Sequence, residues 1–459
     1  MEETIHIYFT SDLHSCFQNW PKITHGLREK ITKHELNGDF YLIFDNGDHL
    51  DRSNPITDAT FGKSNVTLLN EAKYNAVTLG NNEGITLPPD KLYHLYDEAQ
   101  FKVVCANVKP MYEKYPKWLK PYHIFTTPSQ LKIGVIGLTA PFQAFYEKIG
   151  WTTMNPIETL ENYIPELINY CDIVIVLSHL GAYEEEVIAN QFPIDAIIGG
   201  HTHHLYKQGQ IINDTIIVAV GKHGHYYGEI NLKVDRKNKK VISKNGQAIK
   251  VKEKEDQATV ALLDGLSQKA DKYLFETVTV LEERLENDSF KETPLMKRFV
   301  ETLQQWTKAD CAMLNAGVLL NGFDAGPVHK IDILKSCPHP MNPCTMILKG
   351  DQLVELVRMV EKSQFINIEL KGLGFRGKHI GKMVYSNITI DYYEDTDYVE
   401  TVYVNGQRVN EDQKYIVATA DTFSFPQLVP LMANVKEKTY FLPEFIRDLL
   451  EVSLKNIEN

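Results

Sequence analysis

Short apolar runs in the first half of the chain end in polar signatures, and this pattern limits the possible folds most strongly. The signatures are Asp12-Leu-His14, Asp45-Asn-Gly-Asp48, Gly80-Asn81-Asn82-Glu83, Ser178-His179 and Gly200-His201-Thr-His203-His204. In open α/β sheets, ligands bind beyond the carboxyl ends of the strands, so residues placed there converge although they are far apart in sequence. We therefore expect one site to collect these side chains.

The apolar runs themselves predict an α/β fold. They are rich in β-branched and aromatic residues and lie between helical stretches. The predicted strands are Ile5–Thr10, Phe40–Phe44, Ala76–Leu79, Val103–Ala106, Lys132–Leu138, Ile173–Leu177 and Ala196–Ile198. Several runs are continuously apolar, which is typical of strands buried on both faces beneath covering helices. A layered sandwich of sheets and helices is the expected architecture.

A chain of 459 residues predicts two or three domains. The last β segment of the first half ends near Val234, and a polar stretch follows it. A helix is predicted to start near Asp256, whose side chain could cap it, and another begins at Thr293-Pro294. We expect a metal domain over residues 1–235, a linker with a connecting helix over 236–275, and a second α/β domain over 276–459.

The residue types at the strand ends are those of a two-metal site. Asp-x-His and His-x-His place both side chains on one side of an extended segment, so each pair can hold one ion. The predicted ligands are Asp12, His14, Asp48, Asn81, His179, His201 and His203. Asp48, which follows a glycine, is the candidate for the bridging carboxylate. This mixed set of ligands without thiolate suits two ions of zinc, manganese, iron or cobalt, and such a pair about 4 Å apart favours phosphate ester hydrolysis.

Charge and composition exclude several classes of partner. A formal net charge of -12 argues against long nucleic acid, because counterion release needs a basic face. The N-terminus lacks the features of a signal peptide, and no apolar run is long enough to span a bilayer. The six cysteines form no C-x-x-C pair, so reduced thiols are expected. A cytoplasmic protein that contacts no membrane is predicted.

The order D-x-H, G-D, G-N-x-E, S-H and G-H-T-H resembles the calcineurin-like metallophosphoesterases. In the second half, Leu314-Asn315-Ala-Gly317, Pro340-Met-Asn342, Lys349-Gly-Asp-Gln-Leu353 and Tyr415-Ile-Val-Ala-Thr-Ala-Asp421 are similar to the C-terminal domain of the 5′-nucleotidase family. The resemblance spans almost the whole chain and implies a four-layer αββα sandwich joined by a helix to a smaller α/β domain.

The family resemblance implies roles for individual residues. One ion would take Asp12, His14, Asp48 and His203, and the other would share Asp48 and add Asn81, His179 and His201. The second domain would bind the nucleoside, with the base between Phe375 and one of Phe423 or Phe425, although core packing is an alternative for these rings. Asn315 and Arg376 are further candidate substrate contacts, and a plain hairpin loop is the alternative for residues 372–377.

The chain departs from the family at three positions. Most members have histidine after the metal-binding asparagine and aspartate three residues further on, whereas Asn82 and Ile85 stand here. Losing a general acid typically costs about 10²- to 10⁴-fold in rate. Asn82, which can donate a hydrogen bond, and Asp48 are the predicted catalytic residues. The family's substrate arginine is replaced by Leu319, and the candidate substitutes for the missing acid are His49, His223 and His225.

These features predict a metal-dependent hydrolase of nucleotide-like phosphoesters. A cyclic-nucleotide phosphodiesterase or a nucleotide-sugar pyrophosphohydrolase is an alternative that the sequence does not separate. A catalytically weak protein that binds metals and nucleotides is the alternative from another class. The complete set of ligand types favours the enzyme, because a binding module has no evident need for two such cations.

Overall fold

The computed structural model describes residues 2–458. They form two compact α/β units, and the boundary in sequence lies between Ala270 and Asp271. Helices and strands occur in both units. The predicted α/β class and two-domain organisation are therefore confirmed.

The first unit alternates strands with helices. Its strands are β1 (Glu2–Thr10), β2 (Tyr41–Asp45), β3 (Ala76–Val77), β4 (Lys102–Val104), β5 (Val108–Pro110), β6 (Leu119–Lys120), β7 (Tyr122–Thr126), β8 (Lys132–Thr139), β9 (Trp151–Thr153), β10 (Ile173–His179), β11 (Ala196–Gly199), β12 (Gln210–Ile212), β13 (Thr215–Ala219), β14 (Tyr226–Asp235) and β15 (Lys240–Lys250). Its helices are α1 (Trp20–Asn37), α2 (Pro55–Thr60), α3 (Lys63–Glu71), α4 (Asn81–Ile85), α5 (Pro89–Tyr93), α6 (Gln143–Tyr146), α7 (Pro156–Tyr170), α8 (Ala182–Gln191) and α9 (Gln257–Leu274), whose last four residues pass the unit boundary. Each of the seven predicted strands has a counterpart among them.

Two large sheets organise the first unit. One has seven strands in the order β15-β14-β1-β2-β3-β4-β6, and the other has six in the order β12-β13-β11-β10-β8-β7. β1, β2 and β3 are parallel neighbours, with Thr10 beside Asp45 and Asp45 beside Val77. β8, β10 and β11 are likewise parallel. The carboxyl ends of these strands therefore lie at common edges, where the polar signatures follow them.

The sheets pack face to face, and helices cover their outer faces. Ile5, Ile7 and Phe9 alternate along β1 and pack in one buried cluster with residues 173, 175 and 177 of β10. The opposite face of β1 meets α1, where the ring of His34 stacks on His6. Residues of α7 and α8 bury the outer face of the second sheet. This is the predicted helix–sheet–sheet–helix order of layers.

Residues 236–250 differ from the prediction that they belong to a linker. β15 pairs antiparallel with β14 over ten positions and forms the edge of the seven-stranded sheet. Most of its side chains are exposed or only partly buried. A strand of this composition lacks the apolar alternation that identifies a strand in sequence, so the sequence predicts a polar connection. Residues 236–239 form the turn of this hairpin and lie within the basic run from Lys233 to Lys240.

The second unit is a smaller α/β assembly. Its strands are β16 (Thr277–Leu281), β17 (Cys311–Asn315), β18 (Gly326–His329), β19 (Pro343–Lys349), β20 (Met383–Ser386), β21 (Ile388–Tyr392), β22 (Val399–Val404), β23 (Gln407–Arg408), β24 (Lys414–Ala420) and β25 (Lys438–Tyr440). Its helices are α10 (Pro294–Thr307), α11 (Lys330–Ser336), α12 (Gly350–Val360), α13 (Ser363–Ile366), α14 (Pro430–Ala433) and α15 (Ile446–Lys455). A five-stranded sheet in the order β20-β17-β24-β19-β25 is its centre, and one continuous apolar core joins that sheet to α10, α12 and α15.

Helix starts follow the capping residues seen in the sequence. The Asp256 carboxylate accepts a hydrogen bond from Thr259 N at 2.8 Å just before α9. Thr293 Oγ1 accepts one from Met296 N at 3.2 Å, and Pro294 opens α10. Both predicted helix starts are confirmed. Within residues 2–458 every helix is too short or too polar to cross a lipid bilayer.

Replacing the α10 cap should weaken the second unit measurably. Thr293→Ala is expected to lower the free energy of unfolding by about 1 kcal/mol, because Met296 N loses its side-chain acceptor. Thr302→Ala is the matched control, since Thr302 lies in the middle of the same helix and bonds only to Arg298 O. Urea unfolding followed by circular dichroism measures both. An equal loss for the two variants would contradict a specific capping effect.

Candidate metal centre

The structure gathers all seven predicted ligands at the strand ends of the first unit. Asp12 and His14 follow β1, Asp48 follows β2, Asn81 opens α4 after β3, His179 ends β10, and His201 and His203 follow β11. His201 N donates to Asp12 Oδ1 at 3.1 Å, which ties the β11 loop to the β1 loop. The rings of His179 and His201 lie 5.3 Å apart. The residues converge as the strand order predicts.

Many of these residues have an uncommon backbone conformation. Positive φ angles occur at five of the seven predicted ligands: Asp12, His14, Asp48, His201 and His203. Non-glycine residues rarely adopt this left-handed region, and residues held there concentrate at functional sites. The surrounding loops must therefore fix these five backbones against their local preference.

One group of potential ligands consists of Asp12, Asp48 and His179, which are all buried. Asp48 Oδ2 lies 3.4 Å from His179 Nε2, and Asp12 Oδ1 lies 4.0 Å from it. His179 Nδ1 lies 2.8 Å from the carbonyl oxygen of Asn46, to which it donates. His179 Nε2 is buried and makes no hydrogen bond. A buried imidazole nitrogen that faces two carboxylates is a place for positive charge, which a divalent cation can supply, and the bond to Asn46 is the usual support for a ligating histidine.

A second group consists of Asp12, His14 and His203. His14 Nε2 and His203 Nε2 lie 3.0 Å apart, and Asp12 Oδ1 lies 3.5 Å from His203 Nε2. Asp48 Oδ2 lies 3.7 Å from His14 Nε2, so it faces this group as well as the first. Both carboxylates thus stand between the two sets of imidazoles.

Asn81 and His201 form a separate pair in the same site. Asn81 Oδ1 lies 2.9 Å from His201 Nδ1. Neither residue belongs to the two groups described above, but the β11 loop places His201 beside His179. The oxygen and nitrogen donors of the whole set, without any thiolate, match borderline divalent metals.

Burial and charge determine the protonation of the site. Burial lowers the pKa of His201 to about 4 and that of His203 to about 3, so both imidazoles are neutral. Burial also disfavours the charged form of His179, but the carboxylates of Asp48 and Asp12 outweigh it and raise its pKa to about 10. For Asp48, His179 overcomes the effect of burial and keeps the pKa well below its usual range. The site thus already stabilises positive charge next to Asp48.

Asn82 contacts two of the predicted ligands. Its backbone N donates to Asp48 Oδ1 at 2.7 Å. Its side-chain Nδ2 lies 2.9 Å from His14 Nδ1 and donates to Leu50 O at 3.0 Å. The backbone thus holds Asp48 and the buried side chain holds His14, which are the contacts of a positioning residue. The predicted catalytic role of Asn82 stays a prediction.

Removing this support should weaken metal binding. Asn82→Ala is expected to lower metal affinity by about 10- to 100-fold, which is typical when a partner of a metal ligand is lost. Asn70→Ala is a suitable control, because the Asn70 amide bonds Glu98 O and Gln100 N away from the site. Competition with a metal-sensitive chelator measures the affinities. Equal affinities in both variants would refute the positioning role.

Glu83 is a site residue to which the sequence interpretation gave no role. Its Oε2 accepts hydrogen bonds from Asp48 N and Gly80 N, and its Oε1 accepts one from Leu50 N, all at 2.9 Å. Burial and the nearby Asp48 charge raise its pKa to about 7. The G-N-x-E motif contained Glu83, but only the structure shows that it joins the loops after β2 and β3.

Two glycines allow these loops to touch. A Cβ on Gly80 would lie 2.1 Å from Asp48 Oδ1, and a Cβ on Gly47 would lie 2.4 Å from Gly80 N. Gly47 also has a φ of +88°, which disfavours any side chain there. The close backbone contact that presents Asp48 therefore requires glycine at both positions.

Glu185 and His204 hold the loop that carries His201 and His203. Glu185 Oε2 lies 2.9 Å from His204 Nε2, and its Oε1 accepts a hydrogen bond from Gly200 N at 3.1 Å. Glu185 is fully buried on α8. The His204 in the H-T-H-H run thus supports the loop, a contact that spacing alone did not reveal.

The three candidate proton donors occupy different positions. His49 is buried edge-to-face against Trp20, and burial lowers its pKa to about 3. The His223 ring lies 5.9 Å from the His14 ring, and His223 N donates to Asp12 O at 2.8 Å. The ring of His225 lies 6.3 Å from that of His223. His223 is therefore the candidate adjacent to the predicted ligands, while His49 belongs to the core.

The predicted substrate residues of the second unit are largely buried. Phe423 is 1% exposed and packs in the main core, so it offers no free face to a base. Phe375 is 3% exposed and stacks on His339 with ring centroids 4.9 Å apart. Asn315 Nδ2 donates to Ile380 O at 2.8 Å. The backbone N of Arg376 donates to His339 Nδ1 at 2.8 Å. Of the three predicted aromatic rings, only that of Phe425 is partly exposed. Packing of the core, the alternative reading of these rings, therefore accounts for Phe375 and Phe423.

Comparisons with known proteins identify the families that both halves of the chain match. Residues 5–205 match the model of the calcineurin-like phosphoesterases, and residues 275–426 match that of the 5′-nucleotidase C-terminal domain. The chain is 38% identical over 456 residues to the uncharacterized metallophosphoesterase YunD of Bacillus subtilis, covering 98% of this chain and 99% of that protein. It is 26% identical to a 5′-nucleotidase of Vibrio cholerae, covering 71% of this chain and 68% of that protein. The crystal structure of a putative 5′-nucleotidase from Staphylococcus aureus has the same fold, with a TM-score of 0.70 at 18% identity and coverage of 99% and 97%.

Proposed function

Since this chain belongs to the metallophosphoesterases and therefore hydrolyses phosphoester bonds, we propose that its substrates are nucleotide-type phosphoesters. The chain has an N-terminal calcineurin-like phosphoesterase domain and a 5′-nucleotidase C-terminal domain. We further propose that the seven gathered residues hold two divalent ions. The C-terminal match and the naming of the Vibrio cholerae relative as a 5′-nucleotidase support the substrate class.

The observation that carries the proposal is the environment of His179 Nε2. This buried nitrogen faces two buried carboxylates, Asp48 Oδ2 at 3.4 Å and Asp12 Oδ1 at 4.0 Å. Two buried carboxylates at one place require positive charge beside them, because uncompensated buried charge is strongly destabilising. A cation between Nε2 and the carboxylates satisfies all of these groups at once. The same holds for the facing nitrogens of His14 and His203.

The residues of the proposed metal centre determine how the site would bind and hydrolyse a phosphoester. Two divalent ions, when bound, lower the pKa of a water molecule and neutralise charge on the phosphate. Asp48 faces both groups of histidines, which supports its assignment as the shared ligand. Glu83 and Asn82 hold Asp48 and His14 in place, so the site is preorganised before substrate arrives. Zinc, manganese, iron and cobalt all suit the ligands.

We assign nucleoside recognition to the second domain, residues 276–459, and the metal centre to residues 1–250. Partly exposed Phe425 is the aromatic ring that remains for contact with a base. Leu319 stands at the position of the family's substrate-binding arginine and is fully buried in the core, so it cannot contact the substrate as a cation. Arg376 of the same domain is the candidate for that contact.

The deciding experiment is a substrate panel with metal-reconstituted protein. The panel contains nucleoside monophosphates, cyclic nucleotides, nucleotide sugars and an aryl phosphate, each tested with zinc, manganese, iron and cobalt. We expect metal-dependent release of phosphate from the nucleoside monophosphates, abolished by a chelator and restored by the metal.

Two outcomes would reject parts of this proposal. Preferred hydrolysis of cyclic nucleotides or nucleotide sugars would replace the monoester assignment by a phosphodiesterase or a pyrophosphohydrolase. Hydrolysis of none of the compounds, with two bound ions confirmed by elemental analysis, would favour a protein that binds metals and nucleotides with little catalysis.

A further inference from the structure

A second cluster of metal-binding side chains lies on the outer face of the first sheet. It consists of His6 on β1, His34 in the last turn of α1, and Asp39 between α1 and β2; we call it the outer cluster. One potential ligand atom from each residue lies within 4.8 Å of the other two. The two imidazole rings stack with centroids 4.1 Å apart. Three different backbone segments thus bring two imidazoles and a carboxylate together.

The outer cluster is separate from the centre that holds Asp12 and Asp48. His6 and Thr10 are four residues apart along β1, which corresponds to about 13 Å of extended strand. Asp12 lies beyond Thr10, at the opposite end of that strand. His34 is correspondingly at the C-terminal end of α1. None of the three residues of the outer cluster can therefore contribute to the catalytic site.

Hydrogen bonds on the far side of each imidazole fix its orientation. His34 Nε2 lies 2.8 Å from the hydroxyl of buried Tyr8, which donates to Glu229 Oε1 at 3.1 Å. His6 Nδ1 lies 2.6 Å from Asn231 Oδ1. One nitrogen of each ring is thus engaged by an oxygen of the sheet. Histidines that bind metals are normally supported through their other nitrogen in this way.

The Asp39 carboxylate lies beside the stacked rings and completes the cluster. His34 Nδ1 lies 3.0 Å from Asp39 Oδ2, and Asp39 N donates to His34 O at 2.9 Å, which keeps the carboxylate beside the ring. His6 Nε2 is the ring atom not engaged by Asn231. The stacked rings would repel each other if both were protonated. A single cation satisfies both rings and the carboxylate without that repulsion.

The three side chains are of types that zinc accepts in proteins. Zinc is bound by imidazole nitrogens and by carboxylate oxygens, and water completes the four-coordinate shell where only three protein ligands are present.

We propose that His6, His34 and Asp39 form an outer cation site for a borderline divalent metal such as Zn²⁺. The ion connects β1, the end of α1 and the loop leading to β2, and it stabilises the helix against the sheet. The outer cluster lies apart from the catalytic centre, so this stabilising contact is independent of the proposed hydrolysis and of the ions at that centre.

The test compares zinc content and zinc-dependent stability in matched variants of the full chain. His6→Gln and Asp39→Asn remove one ligand each, and the exposure of Asp39 makes its replacement harmless to the core. His94→Gln is the control, because His94 and Asp97 form a similar pair at 2.7 Å but belong to none of the three-ligand groups found among the described residues. Each protein is dialysed against buffered micromolar Zn²⁺ and analysed for metal per chain.

We expect both outer-cluster variants to bind one equivalent of zinc less than the wild type and the His94→Gln control. Their thermal midpoints should also rise less on addition of Zn²⁺, while turnover stays within about twofold of wild type. Equal zinc content in all four proteins would overturn the proposal. The same loss of zinc in the His94→Gln control would overturn it as well, because it would show unspecific surface binding.

Discussion

Replacing Asp48 by asparagine is expected to lower turnover by about 10³-fold or more and to reduce the bound metal. Asp48 Oδ2 faces His179 at 3.4 Å and His14 at 3.7 Å, so the variant removes the anion that both groups share. Metal ions contribute several kcal/mol of transition-state stabilisation, and about 1.4 kcal/mol corresponds to a tenfold change in rate. The loss should appear mainly in kcat at saturating substrate.

The control for this variant lies at the end of β2, three residues before Asp48. Asp45→Asn changes a buried aspartate that bonds Thr10 Oγ1 and Gly47 N but takes no part in the histidine groups. Burial raises the pKa of Asp45 well above its usual range, so its neutral form resembles asparagine. We expect turnover of this control within a fewfold of wild type. Wild-type kinetics and metal content in Asp48→Asn would rule out Asp48 as a shared ligand.

Glu83→Gln is expected to have the second largest effect, on stability as well as on metal binding. Glu83 accepts three backbone hydrogen bonds, and an amide in its place directs a donor at one or more of these N–H groups. Each buried group left unpaired costs about 1 to 3 kcal/mol, so we expect a total of about 2 to 4 kcal/mol. For a unit of this size the thermal midpoint should fall by roughly 4 to 12 °C.

Calorimetry and elemental analysis of the same samples test this expectation. Glu161→Gln, on the exposed face of α7, makes the same chemical change without buried partners and should leave both quantities unchanged. A Glu83→Gln protein with the thermal midpoint of the wild type would show that the hydrogen bonds by which Glu83 joins the two loops contribute little to stability.

Sequence patterns predicted the scaffold and the location of the site because both depend on short-range rules. Apolar runs such as Ile173–Leu177 identify buried strands, and parallel neighbours bring their ends together whatever the loops between them contain. The seven ligand candidates lie at the ends of such strands, so that arrangement predicts that their side chains come together. The sequence does not predict edge strand β15, because most of its residues are polar and exposed or only partly buried, so no apolar alternation marks it.

Side-chain directions within the site depended on the tertiary structure. Asn81 and Asn82 stand next to each other in α4, where successive side chains point about 100° apart. The Asn81 side chain faces His201, and the Asn82 side chain faces His14. No spacing rule predicts from the sequence which partner each asparagine contacts. Phe375 and Phe423 illustrate the same limit, since the sequence cannot tell an aromatic ring in a core from one in a binding pocket.

The five left-handed ligand residues have a consequence for the evolution of heat resistance in this protein. Each non-glycine residue in that conformation reduces folding stability by roughly 1 kcal/mol or more. Glycine at His203 or Asp48 would relieve this strain at the expense of the site. Bound metal stabilises the folded state and opposes this gain, so such substitutions should raise the thermal midpoint of the metal-free protein and lower that of the metal-loaded protein.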